Sequence, residues 1–253
     1  MHDYSENCAA IILAAGLGTR MKSNKAKMLH EISGRPMILY VTNIAKTIFG
    51  NNVVVVVGHQ ADLVREVVTR ESHARFALQE EQLGTGHAVQ CALPVVPENV
   101  ERIVILYGDV PLLRSETIAR LIEDHSRAGR DLTVLAATLA DPTGYGRIIR
   151  DDTDRFVGIV EEADCTPEQK QITSINTGIY CVERFILEDT LPKLTNDNAQ
   201  GEFYLTDIVD IGYRQNRTMG VVTASNPEEV AGVNSLDELA HAEAIIQKRM
   251  ADE

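Results

Sequence analysis

The sequence of 253 residues is poor in aromatic residues, has no tryptophan, and carries 24 basic against 37 acidic residues, a formal charge of −13. That balance argues against a nucleic-acid partner, because such an interface needs a basic face. No stretch of about 18 uncharged apolar residues occurs, so we expect no membrane-spanning segment. Residues 1–6 include two acids and no lysine or arginine, unlike the start of a secretory signal. We therefore expect a cytoplasmic protein.

Cysteine and histidine are few and scattered. The four cysteines form no C-x-x-C pair, which argues against a disulfide framework and favours buried thiols in a reducing compartment. The seven histidines are at least 14 positions apart, so no two share a helical face as zinc ligands would. The sequence thus predicts neither disulfides nor a zinc centre.

Short apolar segments alternate with helical patterns in the first half of the chain. Residues 8–15, 53–57, 103–106 and 133–139 are apolar or β-branched and end at glycine or turn residues, as buried parallel strands do. Apolar residues recur at helical spacing after Pro36 and over 62–69, and Ser115 is predicted to cap a helix ending near Ala128. This alternation predicts a Rossmann-like, doubly wound α/β fold with a mostly parallel sheet.

The second half is less regular, with predicted strands at 156–160, 175–182 and 219–223. No proline-rich or serine-rich linker divides the chain, so we expect one domain over 1–253, with a core of about 8–229. The S-x-x-E sequence at Ser235–Glu238 predicts a capping box at the start of a C-terminal helix of about 235–250.

The first predicted strand runs into a glycine loop, LAAGLGTRM, at residues 13–21. Gly16 and Gly18 let the backbone turn with its N–H groups exposed, which suits a phosphate chain. Met21 stands where a dinucleotide fingerprint needs glycine, and no G-K-[ST] follows. The loop therefore belongs to neither of the two standard phosphate-binding classes.

Residues 7–30 contain no acidic residue, although the average over the chain would give about 3.5 in 24 positions. The same window holds Arg20, Lys22, Lys25 and Lys27. An isolated run of this kind forms a solvated basic loop. Here it follows a buried strand, at the sheet edge where α/β folds bind ligands, and this context favours a phosphate site.

Two further segments have alternative interpretations. Asp109 follows the strand ending at Tyr107, where a carboxylate either caps the next turn or holds a hard cation such as Mg²⁺. The segment QEEQLGTGH at 79–87 offers amides that match the imide edge of a pyrimidine. A glycine-rich turn before a helix at 88–93 explains that segment without a ligand.

Together these segments resemble a known family. The motifs LAAGLGTRM, QEEQLGTGHA, YGDVPL, DPTGYGRI, IVEEAD, INTGIY, NAQGEFYLTD and GVNS are similar, in this order, to those of bacterial N-acetylglucosamine-1-phosphate uridyltransferases. The resemblance covers about residues 9–250 and is to the N-terminal half of a bifunctional enzyme that makes UDP-N-acetylglucosamine. The first motif is shared by all sugar-phosphate nucleotidylyltransferases, whereas QLGTGHA, DPTGYGRI and NAQGE indicate the uridyltransferase branch.

The resemblance implies a nucleotide-diphospho-sugar transferase fold and an Mg²⁺-assisted reaction of UTP with N-acetylglucosamine 1-phosphate. It assigns catalytic roles to Arg20 and Lys27, and the metal to Asp109 and Asn234. The implied nucleotide-binding residues are Leu13, Ala14, Ala15, Gly16, Gly18, Gln79, Gln82, Gly84, Thr85, Tyr107 and Gly108. The implied sugar-binding residues are Gly146, Glu161, Asn176, Thr177, Tyr204 and Thr206.

The sequence departs from the family pattern in three places. Ala26 stands where proline usually precedes the lysine, which predicts a less restricted backbone before Lys27, and Ala163 replaces a frequent lysine. The sequence ends at Glu253 without the hexapeptide-repeat β-helix of the family, so it is either a fragment of a longer protein or a stand-alone uridyltransferase. In both cases we expect no acetyltransfer, and we expect a monomer because the domain that trimerises the family is absent. The alternatives are a related nucleotidylyltransferase for another sugar or base, and a nucleotide-sugar-binding module without turnover.

Overall fold

The structure is a computed structural model that describes residues 4–21, 23 and 25–252; Lys22, a member of the basic window, lies outside that range. The strands are β1 (Cys8–Leu13), β2 (Glu31–Ile32), β3 (Arg35–Pro36), β4 (Val53–Val57), β5 (Arg75–Leu78), β6 (Arg102–Tyr107), β7 (Leu132–Thr138), β8 (Arg147–Arg150), β9 (Phe156–Val160), β10 (Ser174–Glu183) and β11 (Met219–Thr223). The α-helices are α1 (Met37–Phe49), α2 (Ala61–Thr69), α3 (Thr85–Ala92), α4 (Ser115–Arg127), α5 (Arg184–Thr190), α6 (Asp207–Arg214) and α7 (Leu236–Asp252).

The main sheet has the strand order β11-β7-β10-β6-β1-β4-β5. Neighbours are parallel at β11–β7, β6–β1, β1–β4 and β4–β5. Strand β10 is antiparallel to both β6 and β7, and the antiparallel pair β8–β9 attaches to it. The prediction of a mostly parallel α/β sheet is therefore confirmed, and β10 is the exception within it.

The central strands are buried on both faces, which explains their continuous apolar sequences. Ile12, Val55 and Leu106 pack on one face with helices α1, α2 and α4. Ile11, Val54 and other alternate residues pack on the opposite face with α3, α5 and α6. Because helices cover both faces, the ends of the strands are the places left for a ligand.

Helix α7 packs against the β2–β3 hairpin through a third, smaller core containing Ile32, Ala242 and Ile246. The predicted capping box is present. The Glu238 N–H donates to Ser235 Oγ (3.2 Å), and the Ser235 N–H donates to the Glu238 carboxylate (2.9 Å). The capping box fixes the point where the chain enters α7, next to the candidate site.

Several predicted details were wrong. Ser115 is the first residue of α4 rather than its cap, and no side chain caps that helix. Helix α3 begins at Thr85, three residues before the predicted start. Strands β2, β3, β5 and β8 and helices α5 and α6 were not predicted; in β5 one of its four residues is buried, so it lacks the apolar pattern of the central strands. Of the four free thiols, those of Cys91 and Cys165 are only partly buried.

No helix among the described residues is long and apolar enough to cross a bilayer.

A polar network lies at the end of the sheet away from the glycine loop. The Glu183 carboxylate accepts a hydrogen bond from Arg102 Nε (2.7 Å) and lies 2.9 Å from Nε2 of the fully buried His125. Burial alone would raise the pKa of Glu183, but the hydrogen bonds to His125 and Arg102 outweigh that effect and lower it. The carboxylate is therefore held in its ionised form.

Candidate active site

The carboxyl ends of the parallel strands β1, β4, β5 and β6 meet at one edge of the sheet, where a cavity of about 420 Å³ opens. The predicted residues that line it are Leu13, Ala15, Gly16, Gly18, Arg20, Lys27, Gln79, Gln82, Gly84, Thr85, Tyr107, Asp109 and Asn234. A larger depression of about 1010 Å³ lies between α4 and β11. Its arginines already have partners, since Arg127 and Arg130 pair with Asp124 and Arg120 donates to the Thr223 carbonyl. None of the predicted motifs reaches it.

The glycine loop forms one wall of this cavity. The N–H groups of residues 15–18 find no acceptor in the described part of the chain, so they remain available to an anion. Gly18 has a φ of +64°, and a Cβ there would lie 2.6 Å from the Cβ of Lys27. Glycine is therefore required at this position both by its backbone conformation and by the side chain that crosses the loop.

Two cationic side chains, Arg20 and Lys27, contact two side-chain oxygens, those of Asp109 and Asn234, in the wall of the cavity. Lys27 is only 7% exposed, and its Nζ contacts the Asp109 carboxylate and donates to Asn234 Oδ1 (2.7 Å). Arg20 donates to the same Asn234 oxygen (2.7 Å). The predicted catalytic cations and the predicted metal ligands thus form one hydrogen-bonded cluster.

Asp109 and Asn234 are held by the backbone around them. The Val233 N–H donates to the Asp109 carbonyl (2.8 Å), and the Asn234 N–H donates to the Glu238 carboxylate (2.5 Å). The described residues contain no group of three or more acidic, histidine or cysteine side chains arranged around a metal position. A cation held here would have these two protein oxygens, and water or phosphate would complete its coordination.

The segment at residues 79–87, here called the glutamine loop, forms the opposite wall of the cavity. Gln79 is 3% exposed, and Gln82 Nε2 donates to the Gln79 carbonyl (3.1 Å). Gly84 has a φ of +110°, and a Cβ there would lie 2.6 Å from the Phe203 carbonyl oxygen. Thr85 Oγ1 accepts the Leu205 N–H (3.0 Å). The segment around 203–205 therefore fixes the shape of this loop.

The six predicted sugar-binding residues do not line the cavity, but Tyr107 connects them to it. A Cβ on Gly178, whose φ is +81°, would lie 2.5 Å from the Tyr107 ring. The Gly146 carbonyl accepts a hydrogen bond from the Asn176 N–H (2.8 Å). A Cβ built on Gly146 would lie 3.2 Å from a carboxylate oxygen of Glu161, so the two residues are packed together. The charges of Asp109, which lines the cavity, and of Glu161 both act on the Tyr107 hydroxyl, so Tyr107 lies between the cavity and a second, acidic side.

Partly buried carboxyl groups dominate this second side. Burial raises the pKa of Glu161, and the Thr206 hydroxyl partly opposes the shift. Burial, with repulsion from Asp210 and Asp164, raises the pKa of Asp207 to about 6. The hydroxyl oxygens of Tyr204 and Thr206 are buried beside these carboxyl groups, Tyr204 next to Asp164 and Thr206 next to Glu161. Polar groups of this kind suit the hydroxyl and amide groups of a sugar better than an anion.

Three predicted residues have supporting positions instead. The Thr177 hydroxyl donates to the Leu135 carbonyl (2.7 Å), inside the sheet. The Ala14 N–H donates to Val56 (3.0 Å), and the Gly108 N–H donates to Leu13 (2.9 Å), beneath the cavity. The cavity also contains residues that the sequence analysis missed: Leu17, Met28, Ala88 and Glu202. Of these, Leu17, Ala88 and Glu202 lie in the motifs LAAGLGTRM, QEEQLGTGHA and NAQGE, which were the available signals.

The comparisons with known proteins agree with the resemblance found in the sequence motifs. The model of the MobA-like NTP transferase domain matches residues 10–165. The bifunctional protein GlmU of Corynebacterium aurimucosum is 45% identical over 252 residues, 98% of this chain and 52% of that protein. That of Geobacter metallireducens is 47% identical over 242 residues, 96% and 51% respectively. The chain spans about half the length of these curated relatives.

A solved structure of a putative glucose-1-phosphate thymidylyltransferase from Bacillus anthracis, in complex with a sucrose, has a similar fold. The TM-score is 0.71 at 20% identity, over 94% of each chain.

Proposed function

The chain belongs to the MobA-like NTP transferase family, and on that premise we propose that it transfers the uridylyl group of UTP to N-acetylglucosamine 1-phosphate, forming UDP-N-acetylglucosamine and pyrophosphate. The observation that carries the proposal is the arrangement of the cavity. The cations Arg20 and Lys27 lie beside the glycine loop, and Tyr107 lies between this nucleotide side and the carboxyl groups around Glu161.

The nucleotide side supplies charge and donors for a triphosphate. The N–H groups of residues 15–18 and the two cations face the same cavity, so phosphate oxygens would replace Asp109 and Asn234 as partners of Lys27. Positive charges and N–H donors placed around the phosphate chain stabilise the negative charge that develops there during the reaction. Binding and neutralisation are what phosphoryl transfer requires of a protein.

Mg²⁺ fits the pair formed by Asp109 and Asn234, because both residues direct hard oxygen donors at the position of one cation, the Lys27 ammonium. When bound, the metal supplies a Lewis acid for the phosphate oxygens. Asp109 also accepts the Val233 N–H at its backbone, which keeps the two ligand-bearing segments together.

In the proposed reaction, an oxygen of the sugar phosphate forms a bond to the α-phosphorus of UTP, and the bond from that phosphorus to the bridging oxygen breaks. Pyrophosphate leaves with the electron pair of that bond. The attacking phosphate is ionised at neutral pH, so the site needs no general base. Its contribution is to align the two substrates on either side of Tyr107.

Pyrophosphate release from UTP and N-acetylglucosamine 1-phosphate tests the proposal. Asp109→Ala and Lys27→Ala should each lower turnover by about 100-fold or more. Lys25→Ala is the matched control, because Lys25 lies on the same loop but is exposed and paired with Glu31. Near-native turnover in either site variant would contradict the proposal.

Product analysis decides between the alternatives. Parallel reactions with dTTP, CTP and GTP, and with other sugar 1-phosphates, would identify a different nucleotidylyltransferase. Tight binding of UDP-N-acetylglucosamine without turnover would identify a binding module.

A further inference from the structure

The amide of Gln79 is held by two contacts on its nitrogen. Gln79 Nε2 donates to the Gly84 carbonyl (3.0 Å) and lies 3.2 Å from His87 Nδ1. A carbonyl can only accept, so Gly84 determines which end of the amide is the nitrogen. The other end, Oε1, has no partner among the described residues, and the side chain lines the cavity.

The second contact depends on which ring nitrogen of His87 carries the proton. Nδ1 also lies 3.1 Å from the Glu81 carbonyl, but that carbonyl already accepts the Leu83 N–H (2.9 Å). The second amide hydrogen of Gln79 is buried and has His87 as its acceptor. An unpaired, buried amide hydrogen on Gln79 would cost more free energy than a second lone pair of the Glu81 carbonyl that accepts no hydrogen bond.

The remaining ring nitrogen completes the assignment. His87 Nε2 lies 3.6 Å from the Cys91 sulfur, a weak acceptor for an N–H. The hydrogen bonds are therefore best satisfied when the neutral ring is protonated at Nε2 and accepts at Nδ1.

We propose that His87 is a positioning residue for base selection: it holds the Gln79 amide with its oxygen toward the base, so that the site accepts a base presenting an N–H there. This inference rests on the proposed function. The imide N–H of uracil would donate to Oε1, whereas cytosine presents a lone pair at the corresponding ring nitrogen. Two acceptors facing each other in a buried site disfavour cytosine.

Removing the acceptor at residue 87 frees one amide hydrogen. The Gly84 carbonyl still favours the original orientation, so the amide becomes less fixed without inverting completely. In His87→Leu, the ratio of kcat/KM for UTP to that for CTP should fall about tenfold, mainly through a higher KM for UTP, since one hydrogen bond of about 1.4 kcal/mol is tenfold.

The experiment compares variants that differ in the acceptor. His87→Asn places a carbonyl oxygen near the position of Nδ1 and should retain the discrimination, whereas His87→Gln carries its polar group past that position and should lose it. Cys91→Ala removes the neighbour at Nε2 only and should match the wild type. If His87→Leu does not fold, the Asn and Gln variants make the same comparison.

Two further measurements do not depend on turnover. Calorimetric titration with UTP and CTP should show the same loss of preference, and ¹⁵N NMR of the wild-type imidazole should place the proton on Nε2. An unchanged UTP/CTP ratio in folded His87→Leu or His87→Gln, or a proton on Nδ1, would overturn the inference. An inactive wild type that still prefers UTP in calorimetry would overturn the proposed reaction but not the role of His87.

Discussion

Replacing Lys27 by methionine should open the oxygen pair of Asp109 and Asn234 to a divalent cation when no nucleotide is bound. The Lys27 ammonium contacts both side chains and is almost fully buried. A metal bound at about 2.1 Å from these oxygens could not coexist with an ammonium bonded to them. The Lys27 ammonium and a metal ion therefore compete for one position. The ammonium has the advantage because it is part of the chain and does not have to be bound from solution.

The size of the effect follows from the two contacts that the metal must displace. Each hydrogen bond made by a charged group contributes about 1.5–3 kcal/mol. This net value already includes the hydration of the displaced ammonium, so the loss of one of the two contacts corresponds to about 2 kcal/mol, or a factor of about 30 in affinity. Methionine keeps the length and apolar stem of the side chain, so the change isolates the charge.

Electron paramagnetic resonance of Mn²⁺ measures this affinity directly, without substrates. Lys27→Met should bind Mn²⁺ about 30-fold more tightly than the wild type. Adding Asp109→Asn should remove the gain, and Lys25→Met, an exposed lysine of the same loop, should leave the affinity unchanged. Equal Mn²⁺ affinity in Lys27→Met and the wild type would refute the competition between lysine and metal.

Three other changes probe the surroundings of the site and the stability of the fold. Gly178→Ala places a methyl group against the Tyr107 ring at a φ of +81°, so it should lower stability by about 1–3 kcal/mol and raise the KM for the sugar phosphate; an unchanged melting temperature would contradict this. The pKa of Glu183 is lowered in the fold, so its contribution exists above the unfolded pKa of about 4.3 and disappears as the pH falls through the folded value. Urea unfolding of Glu183→Gln should accordingly show a larger loss at pH 7 than near pH 3.5, and equal losses would argue against it. The pKa of Asp207 is raised to about 6, so the stability given by its protonated form is lost as the pH rises through that value; Asp207→Asn should raise the melting temperature at pH 8 but not at pH 4, and a gain of equal size at both would exclude this cause.

The central strands could be predicted because their burial is independent of the details of pairing. The run Val53–Val57 is buried on both faces, and the apolar start of the chain at Cys8–Leu13 forms the adjacent parallel strand. The position of the candidate site could be predicted from these strands, because parallel strands place their carboxyl ends at one edge of the sheet. Asp109 and the glycine loop were expected there, and the structure brings them together.

The antiparallel strand could not be predicted in the same way, because the direction of a strand depends on its partners rather than on its own sequence. The predicted strand 175–182 matches β10 in position, but the pattern does not show that it enters between β6 and β7. Its irregular pairing between Asn176 and Tyr180 turns Gly178 toward Tyr107. The contact of Lys27 with Asp109 spans 82 positions, so it too required the fold.

The departure at Ala26 shows how a local expectation changes once neighbours are known. Without proline, the backbone before Lys27 was expected to be less restricted. Ala26 nevertheless has a φ of −52°, close to the value that a proline ring imposes, and its N–H donates to Gln60 Oε1 (2.9 Å). A proline has no N–H and could not make this bond. The hydrogen bond that Ala26 donates to a side chain 34 positions away thus replaces a covalent restraint, and the lysine is held in the cluster by a different means.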